Sequence, residues 1–504
     1  MRVHCQRFLT FLAANAALCA LSPQLAAAEP RPNILLIVGE DVGLQLGCYG
    51  DTLARTPHLN RLASQGIRYE CAFVTQSVCS PSRASLLTGL HPHQHGQIGL
   101  ATHQFTMVKR WPTLPGLLKS AGYRTGRIGK LHVLPEAAFP FDMVWDDARY
   151  ISFKNRDVRT TAEVAGRFLA KDGPFFLMVN FADAHLPFLR QSHGVPEQPI
   201  GEAQARPPAA VGVDNVRLRR IAADYYNGVQ RLDAGVGLLM DELDRSGHAD
   251  NTVIFFLGDH GPQFARGKAT CYELGLRVPL ILRLPGRQPP AVRPELVSTV
   301  DILPTVLKLA GLPQPRNLPG ASLLPDDLER APGSRRYVHG SWNSSHPFPG
   351  PSLLFPQRSV RDRRYKLIVS LLPGRPNPVE EYYTSHALVD TGPSQREIDA
   401  ATPAVVAAYA TWRNSLPAEL YDLEADPDEL TNLANLPEMA AVRERLAAEL
   451  LRWRRETNDP LLDAGKLGRL VDEDRERVAL LKRDGPKTAP PWRYPGYLYG
   501  SAEN

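Results

Sequence analysis

A cysteine at the start of a predicted helix is the residue of this sequence best suited to chemistry. The run CSPSRASLLTG begins at Cys79. Ser80 and Ser82 are good cap formers, Pro81 is favoured in a first helical turn, and Gly89 can end the helix. We therefore expect Cys79 to lie beside free backbone N–H groups and the positive end of a helix dipole, where an anion is stabilised.

An arginine one turn into the same helix adds to this arrangement. Arg83 lies on the face of the helix start and can give two donors to an oxyanion. A single cysteine and a single arginine are more often a small buried side chain and a surface cation. The chemistry therefore depends on what the rest of the chain brings to this position.

Polar residues follow several short apolar runs that are typical of buried strands. The polar groups are Glu40 with Asp41, Lys130 with His132, Asp183 with His185, and Asp259 with His260. The carboxyl ends of parallel strands form the edge at which open α/β sheets bind ligands. Adjacent carboxylates repel one another unless a cation neutralises them. The repeated pattern favours a ligand site at this edge of the sheet, although an isolated acidic pair is usually a solvated loop and a lone histidine is usually a packed side chain.

The histidines differ in their sequence context. His132 is two residues from Lys130, so on an extended chain both side chains point to the same side. His91, His93 and His95 fall instead in a Pro/Gly-containing loop, and their spacing is not that of a tetrahedral zinc site. For these three we favour loop packing and substrate contact over metal binding.

The elements predicted around these residues favour an α/β fold with two domains. Buried-strand runs alternate with helical patterns, including a long amphipathic helix over 216–245. Short strand-like segments in the last third of the chain predict a small antiparallel sheet, with a helix over 439–457. We predict a catalytic domain over 29–335 and a smaller α+β domain over 336–504.

The first 28 residues have the pattern of a secretory signal peptide. Arg2 and Arg7 precede an apolar run, and alanines at 26–28 provide small residues for cleavage. We expect an exported protein, periplasmic or secreted, with no membrane span after the leader is removed. The formal net charge of the 504 residues is +5, which is too mild to indicate a nucleic-acid partner.

The run from Cys79 to Gly89 resembles the sulfatase signature Cys-x-Pro-Ser-Arg-x-x-Leu-Leu-Thr-Gly at every fixed position. The resemblance implies an alkaline-phosphatase-like sulfatase fold, with a large mixed or parallel sheet flanked by helices and a smaller C-terminal domain that holds an antiparallel sheet. It also implies that a formylglycine-generating enzyme converts Cys79 to Cα-formylglycine (3-oxoalanine), whose hydrate is the nucleophile.

The resemblance further implies one divalent metal, for which calcium is favoured and manganese and magnesium are alternatives. The implied ligands are Glu40, Asp41, residue 79, Asp259 and His260. Two of them depart from the family pattern, because sulfatases carry aspartate at position 40 and asparagine at position 260. Glutamate is still a hard oxygen ligand with one more methylene, whereas imidazole is softer and favours transition metals such as Mn²⁺.

Cationic side chains in the implied site suit a tetrahedral oxyanion. The residues that the resemblance implies as catalytic are Cys79, Arg83, Lys130, His132, His185 and Lys268. Arg83, Lys130, His185 and Lys268 are also the implied substrate-binding residues, while His132 contacts the formylglycine. His185 or Lys268 protonates the leaving group, and Asp259 acts as the base.

Softer motifs are most similar to the heparan N-sulfatase (sulfamidase) branch of the family. They include GKLHV from residue 129, RSV from residue 358 and WRRETNDP from residue 453. We therefore predict hydrolysis of sulfate groups on sulfated saccharides, with N-sulfoglucosamine of heparan as the leading substrate. One alternative is a hydrolase of sulfate or phosphonate esters of small alcohols, suggested by the sequence Asp259-His260-Gly261. Another is a non-catalytic sulfoglycan-binding protein in which Cys79 is never modified.

Overall fold

The computed structural model describes residues 31–286, 289–324, 335–344, 352–386, 389–485 and 490–500. The predicted signal peptide over 1–28 lies outside these residues. The chain from Pro32 onward forms one compact unit. Within the described part of the chain, no helix is both long and apolar enough to cross a bilayer.

A mixed eight-stranded sheet is the centre of the molecule. Its order is β4-β3-β5-β1-β6-β7-β2-β8, and the strands from β4 to β6 in this order run parallel. Strand β7 is antiparallel to both of its neighbours, while β2 and β8 are parallel to each other. The bounds are β1 Asn33–Gly39, β2 Ile67–Phe73, β3 Arg124–Ile128, β4 Met143–Trp145, β5 Phe175–Phe181, β6 Thr252–Gly258, β7 Arg277–Arg283 and β8 Ala291–Ser298.

The three central strands explain why the sheet is covered on both faces. Strands β1, β5 and β6 are apolar nearly throughout, and every one of their residues is buried. Parallel strands of this kind need helices on each face. Two separate apolar clusters, one on each face of the sheet, meet this need. The mixed, helix-flanked sheet that the resemblance implied is confirmed.

Fourteen α-helices fall within the described residues, and their bounds agree with the predicted ones where a strong period was present. The long helix α6 spans the predicted range. The bounds are α1 Pro57–Ala63, α2 Cys79–Thr88, α3 Pro92–His95, α4 Leu114–Ser120, α5 Val158–Leu169, α6 Val216–Arg245, α7 Glu273–Leu276, α8 Ile302–Leu309, α9 Pro378–Thr384, α10 Gln395–Asp399, α11 Pro403–Asn414, α12 Ala440–Glu456, α13 Ala464–Asp484 and α14 Tyr494–Tyr499.

A second, four-stranded antiparallel sheet follows in the last third of the chain. Its order is β12-β11-β10-β9, and α12 packs Leu446, Leu450 and Trp453 against it. The small antiparallel sheet is therefore confirmed, while the domain boundaries given above stay a prediction. The bounds are β9 Val338–Trp342, β10 Gln357–Arg361, β11 Tyr365–Ser370 and β12 Ala418–Asp422.

Candidate active site

Cys79 is the first residue of a fully buried helix. Helix α2 begins at Cys79 after the extended residue Val78, and Gly89 ends it with a φ of 69°. The expected capping by serines is wrong, because the helix starts before either serine. Ser80 Oγ instead accepts the N–H of Ala101 at 2.9 Å, and Ser82 Oγ donates to the carbonyl of Asp259. In a buried helix, tertiary partners take the hydroxyls that an exposed helix would use as caps.

The segment that precedes α2 is fixed by the small sheet. Ser341 on β9 donates its backbone N–H to the carbonyl of Thr75 at 2.8 Å. Asn343 Nδ2 donates to Gln76 Oε1 at 2.7 Å, and Gln76 Nε2 donates to the carbonyl of Ile98 at 3.1 Å. The last third of the chain therefore helps to set the position of residue 79, although it supplies none of the predicted site residues.

Carboxylates from β1 and β6 meet beside Cys79, as the strand-end argument predicted. Asp41 follows β1 with a φ of 55°, and its backbone N–H donates to Asp259 Oδ1 at 3.0 Å. The adjacent parallel strands β1 and β6 bring these two residues together across 218 positions of sequence. Both carboxylates are buried, so they need cationic partners or a metal.

Two sets of metal-donor atoms lie within 4.8 Å of one another among the described residues. One set comprises Asp41, Cys79 and His185, and the other comprises Cys79, Asp259 and His260. His260 Nδ1 donates to the carbonyl of Gly261 at 2.9 Å, so Nε2 is the nitrogen that faces Cys79 Sγ and Asp41 Oδ1, each 3.4 Å away. Fixing one ring nitrogen in this way is typical of metal-ligating histidines.

The electrostatics of His260 agree with a cation site. Burial disfavours the charged imidazole, but Asp259 and Asp41 outweigh burial and raise the pKa of His260 to about 9. A site that holds a proton this strongly carries an excess of negative charge that a divalent cation would neutralise. Two carboxylates, one imidazole and residue 79 therefore form a donor set that fits a divalent metal.

Glu40 does not join either donor set, although it also follows β1. Its Oε2 lies 3.2 Å from Lys130 Nζ, and its Oε1 lies 3.3 Å from Arg83 Nη2. Burial raises the pKa of Glu40, but Lys130 and Arg83 outweigh burial and lower it. The extra methylene of glutamate extends its carboxylate to these cations, and its role as a metal ligand stays a prediction.

Arg83 and Lys268 are buried cations with carboxylate partners. Arg83 Nε donates to Asp259 Oδ2 at 3.0 Å, and Lys268 Nζ lies 2.9 Å from Asp41 Oδ2. Burial alone would lower the pKa of Lys268, but Asp41 and Cys79 raise it. Both side chains therefore keep their charge in the interior, and Lys268 also lines the cavity described below, whereas Arg83 does not.

The environment of position 79 strongly favours a negative charge. Burial disfavours the thiolate, but Lys130, Lys268 and His260 outweigh burial and hold the pKa of the Cys79 thiol well below its usual range. The start of α2 contributes backbone N–H groups at the same place. An anionic group formed at this position would be stabilised by several fixed cations at once.

Two further predicted histidines, His132 and His185, lie near position 79. For His132, the backbone conformation differs from the extended chain that we assumed. His132 has a φ of 58° in the loop after β3, so the alternation assumed for Lys130 and His132 does not apply. It nevertheless lines the same cavity as Cys79 and is one of the groups that lower the pKa of the Cys79 thiol. His185 Nδ1 donates to the carbonyl of Leu186 at 2.6 Å, which leaves Nε2 facing Lys268 Nζ at 3.4 Å.

A cavity of about 550 Å³ opens above these groups. Among the residues that line it are Glu40, Cys79, Lys130, His132, His185 and Lys268. Apolar side chains form much of the remaining wall, namely Leu100, Leu131, Ile151 and Phe153. We call this cavity with its charged floor the bowl. It has room for a sulfuryl group together with part of the molecule that carries it.

Sequence reasoning missed one residue that holds the floor of the bowl. Asn180 on β5 accepts from Arg83 Nη1 at 2.6 Å and donates through Nδ2 to the carbonyl of Ile128 at 3.0 Å. A signal for it was present, because an amide interrupts the apolar run FFLMVNF just before the strand ends. A polar residue at that point of a buried strand requires a partner.

The three clustered histidines pack away from the bowl, as favoured above. His91 and His93 meet the edge of the Trp453 ring at centroid distances of 5.1 and 4.9 Å. His93 Nε2 pairs with Thr457 Oγ1 at 2.7 Å, and His95 Nε2 pairs with Ser85 Oγ at 3.0 Å. None of the three lines the bowl, so their expected contact with substrate has no support in the described residues.

The chain belongs to the sulfatase family. The family model described as "Sulfatase" matches residues 32–312, which is more than half of the chain. A second model, described as "N-sulphoglucosamine sulphohydrolase, C-terminal", matches residues 258–372. The chain is therefore a hydrolase of the sulfatase class, and the match covers the large sheet and extends through β11 of the small one.

Individual relatives agree with this assignment. The chain is 34% identical to the human protein named N-sulphoglucosamine sulphohydrolase, over 88% of this chain and 94% of that protein. It is 29% identical to an ulvan-active sulfatase of Formosa agariphila, over 84% of this chain and 74% of that protein. Sulfatases of this family generally use a formylglycine and a divalent metal.

Solved structures support the fold. A structure described as a 2-O GAG sulfatase superposes with a TM-score of 0.64 at 21% identity, covering 85% of this chain and 93% of that one. The phosphonate monoester hydrolase of Agrobacterium radiobacter superposes with a TM-score of 0.63 at 21% identity, covering 85% and 96%. These likenesses confirm the alkaline-phosphatase-like sulfatase fold that the sequence motifs implied.

Proposed function

We propose that this protein is a formylglycine-dependent sulfatase that removes sulfate from sulfated saccharides, with the N-sulfate of glucosamine as its leading substrate. The observation that carries the proposal is the convergence of Lys130, His185 and Lys268 around position 79 at the floor of one cavity. Arg83 is fully buried behind this floor, where it pairs with Asp259, and it does not line the cavity. A sulfuryl group is tetrahedral and anionic, and the three side chains that line the cavity match it in charge, while Arg83 adds positive charge from behind.

In the proposed chemistry, Cys79 occupies the position of a formylglycine whose hydrate supplies the nucleophilic hydroxyl. A divalent metal, with calcium favoured and manganese or magnesium as alternatives, would supply neutralising charge. Asp41, Asp259 and His260 would hold it together with residue 79. Glu40 is the weakest of the proposed ligands, because both of its oxygens already face cations.

Other residues of the bowl have roles that follow from their contacts. Asp259 accepts from Arg83 through one oxygen and from the Asp41 backbone through the other, so it is held beside position 79 as the proposed base. Lys130 and Lys268 fix the sulfuryl oxygens. His132 orients residue 79, and His185 gives a proton from Nε2 to the departing nitrogen or oxygen.

Saccharide substrates are favoured by the relatives as well as by the cavity. The human relative is named for N-sulphoglucosamine, and a matching structure is described as a 2-O GAG sulfatase. The C-terminal family model carries the same N-sulphoglucosamine description. We therefore propose glycosaminoglycan degradation as the setting, with export directed by residues 1–28 and maturation by a formylglycine-generating enzyme.

The direct test measures steady-state rates of the matured protein on N-sulfoglucosamine, on a 6-O-sulfated glucosamine and on a phosphonate monoester. We expect the highest kcat/KM on the sulfamate. If kcat/KM on the sulfamate is no higher than on the sulfate ester, N-sulfoglucosamine is not the preferred substrate, but the assignment as a sulfatase still holds. The peptide mass of residue 79 distinguishes the non-catalytic alternative, which requires an unmodified thiol in protein from the native host.

A second candidate function rests on His260. An imidazole in the donor set favours transition metals over calcium, and the phosphonate monoester hydrolase fold is similar over most of the chain. Under this alternative the protein hydrolyses sulfate or phosphonate esters of small alcohols. A phosphonate kcat/KM that exceeds both saccharide values would establish it in place of the first.

A further inference from the structure

One exposed aromatic residue at the mouth of the bowl has no role in the chemistry described so far. Phe153 lies in the loop over 146–157, between β4 and α5, and 44% of its surface is exposed. Its ring stacks on His185 at a centroid distance of 4.4 Å and an interplanar angle of 21°. Lys130 Nζ lies 5.4 Å from the ring centroid. Phe153 therefore touches two residues that face the substrate.

The loop that carries Phe153 is fixed to the turn that carries His185 by one buried arginine. Arg156 Nη2 donates to the carbonyls of Phe153 at 3.1 Å and His185 at 2.7 Å. Its Nη1 donates to the carbonyl of Asp183 at 2.8 Å. Arg156 is only 3% exposed, so these bonds are shielded from water. The aromatic ring is therefore held in place beside His185 before any substrate binds.

The position of the Phe153 ring indicates which part of the substrate it would contact. The sulfuryl group occupies the charged floor with Cys79, Lys130 and Lys268, so the departing part of the substrate extends toward the mouth. His185 must reach the departing atom, and Phe153 is stacked on His185. A pyranose ring has an apolar C–H face that packs on an aromatic side chain, whereas a small alkyl group offers little such surface.

We propose that Phe153 is a specificity-determining residue that packs against the sugar ring of the leaving group, and that Arg156 is its positioning residue. This inference rests on the proposed saccharide sulfatase function. It accounts for an exposed aromatic side chain that the charged floor does not need. Under this proposal, Phe153 in the wall of the bowl selects saccharides over small alcohols. The metal-donor residues at the floor do not make this selection.

The test compares Phe153→Leu and Phe153→Tyr with the parent enzyme on two substrates that share the same scissile bond. N-Sulfoglucosamine carries the pyranose ring, and the sulfamate of ethylamine does not. Leucine keeps bulk against His185 without an aromatic face, while tyrosine keeps the face. We expect F153L to raise KM for the saccharide about 10-fold with kcat within about 3-fold, and F153Y to restore it.

The small sulfamate and a surface control complete the design. We expect F153L to leave kcat/KM on N-ethylsulfamate within about 2-fold. Val292→Ala, which changes an exposed apolar residue of β8, should alter kcat/KM on neither substrate. Arg156→Lys should raise KM for the saccharide in the same direction as F153L.

Equal losses on both substrates, a loss confined to kcat, or no change in F153L would each overturn the assignment of Phe153. Absence of saccharide turnover by the parent enzyme would instead overturn the proposed function, and with it this inference. The two failures are therefore distinguishable.

Discussion

Two groups of three histidines in this protein behave in opposite ways. His91, His93 and His95 are adjacent in sequence, and two of them pack around Trp453 in the interior. His132, His185 and His260 are separated by up to 128 residues, yet all three face position 79 or its partners. The first group is surrounded by rings and hydroxyls, and the second by carboxylates and lysines.

Charge, more than burial, separates His260 from the clustered histidines. Burial lowers the pKa of His93 and His95 to about 3, because no carboxylate offsets the loss of water sufficiently. In the bowl, Asp259 and Asp41 reverse the same burial effect and raise the pKa of His260 to about 9. A histidine therefore becomes part of a site through the charges that the fold places around it, and clustering in sequence is a poor guide.

The largest effect is expected from removing the proposed nucleophile at position 79, around which His132, His185 and His260 are arranged. Cys79→Ala should lower kcat/KM about 10⁴-fold or more, since neither formylglycine nor its hydrate can form. Steady-state rates on a sulfated saccharide measure this loss. Cys48→Ala, at a half-buried free cysteine away from the bowl, should stay within about 2-fold. Turnover retained by Cys79→Ala would contradict the whole assignment of the bowl.

Paired histidine variants test the comparison directly. His185→Gln should lower kcat about 10²- to 10³-fold, because amide nitrogen cannot deliver a proton to the leaving group. His93→Gln should leave kcat/KM within about 2-fold while lowering the urea midpoint, since its contacts are with Thr457 and Trp453. If both variants lost activity equally, the two groups of histidines would not differ in function.

Removal of the proposed metal should lower the stability of the protein, and this change should depend on His260 but not on the clustered histidines. Dialysis against a chelator should lower the melting temperature, because Asp41 and Asp259 then repel one another. Restoring metal at about 100 times its Kd should return about 2.7 kcal/mol of stability.

His260→Gln should weaken this metal-induced shift, whereas His95→Gln should preserve it. Metal content by elemental analysis provides an independent readout. An equal metal-induced shift in His260→Gln and in the parent would remove His260 from the donor set.

The smallest expected effect is the acid sensitivity of the first group. The folded pKa of His95 is about 3, and an unfolded histidine titrates near 6.5, so the unfolded chain binds more protons between these values. Its contribution to stability is complete above pH 6.5 and is lost as the pH falls toward 3. At pH 5 the loss should be about 2 kcal/mol per histidine.

Urea unfolding of the parent and of His95→Gln at pH 7 and pH 5 measures this loss. The variant should lose less stability between the two pH values than the parent does. An identical pH dependence in both proteins would mean that His95 is charged in the folded state.

Secondary structure with a strong period was predictable from the sequence. The apolar runs that precede Glu40, Asp183 and Asp259 form β1, β5 and β6, and the amphipathic helix predicted over 216–245 has those bounds. The cap of helix α2 was not predictable, because Ser80 and Ser82 make their hydrogen bonds with distant segments. Local rules assume solvent at a helix start, and α2 has none.

The sequence alone determined the family, the strand-end character of the polar residues and the cysteine at a helix start, because each of these depends on short-range order along the chain. Tertiary structure decided the rest. It turned Glu40 toward Lys130 and Arg83, set Asn180 against Arg83, and brought Phe153 onto His185. These contacts join residues that lie from 32 to 97 positions apart. Their partners depend on side-chain length and on which strands are neighbours, and a one-dimensional pattern specifies neither.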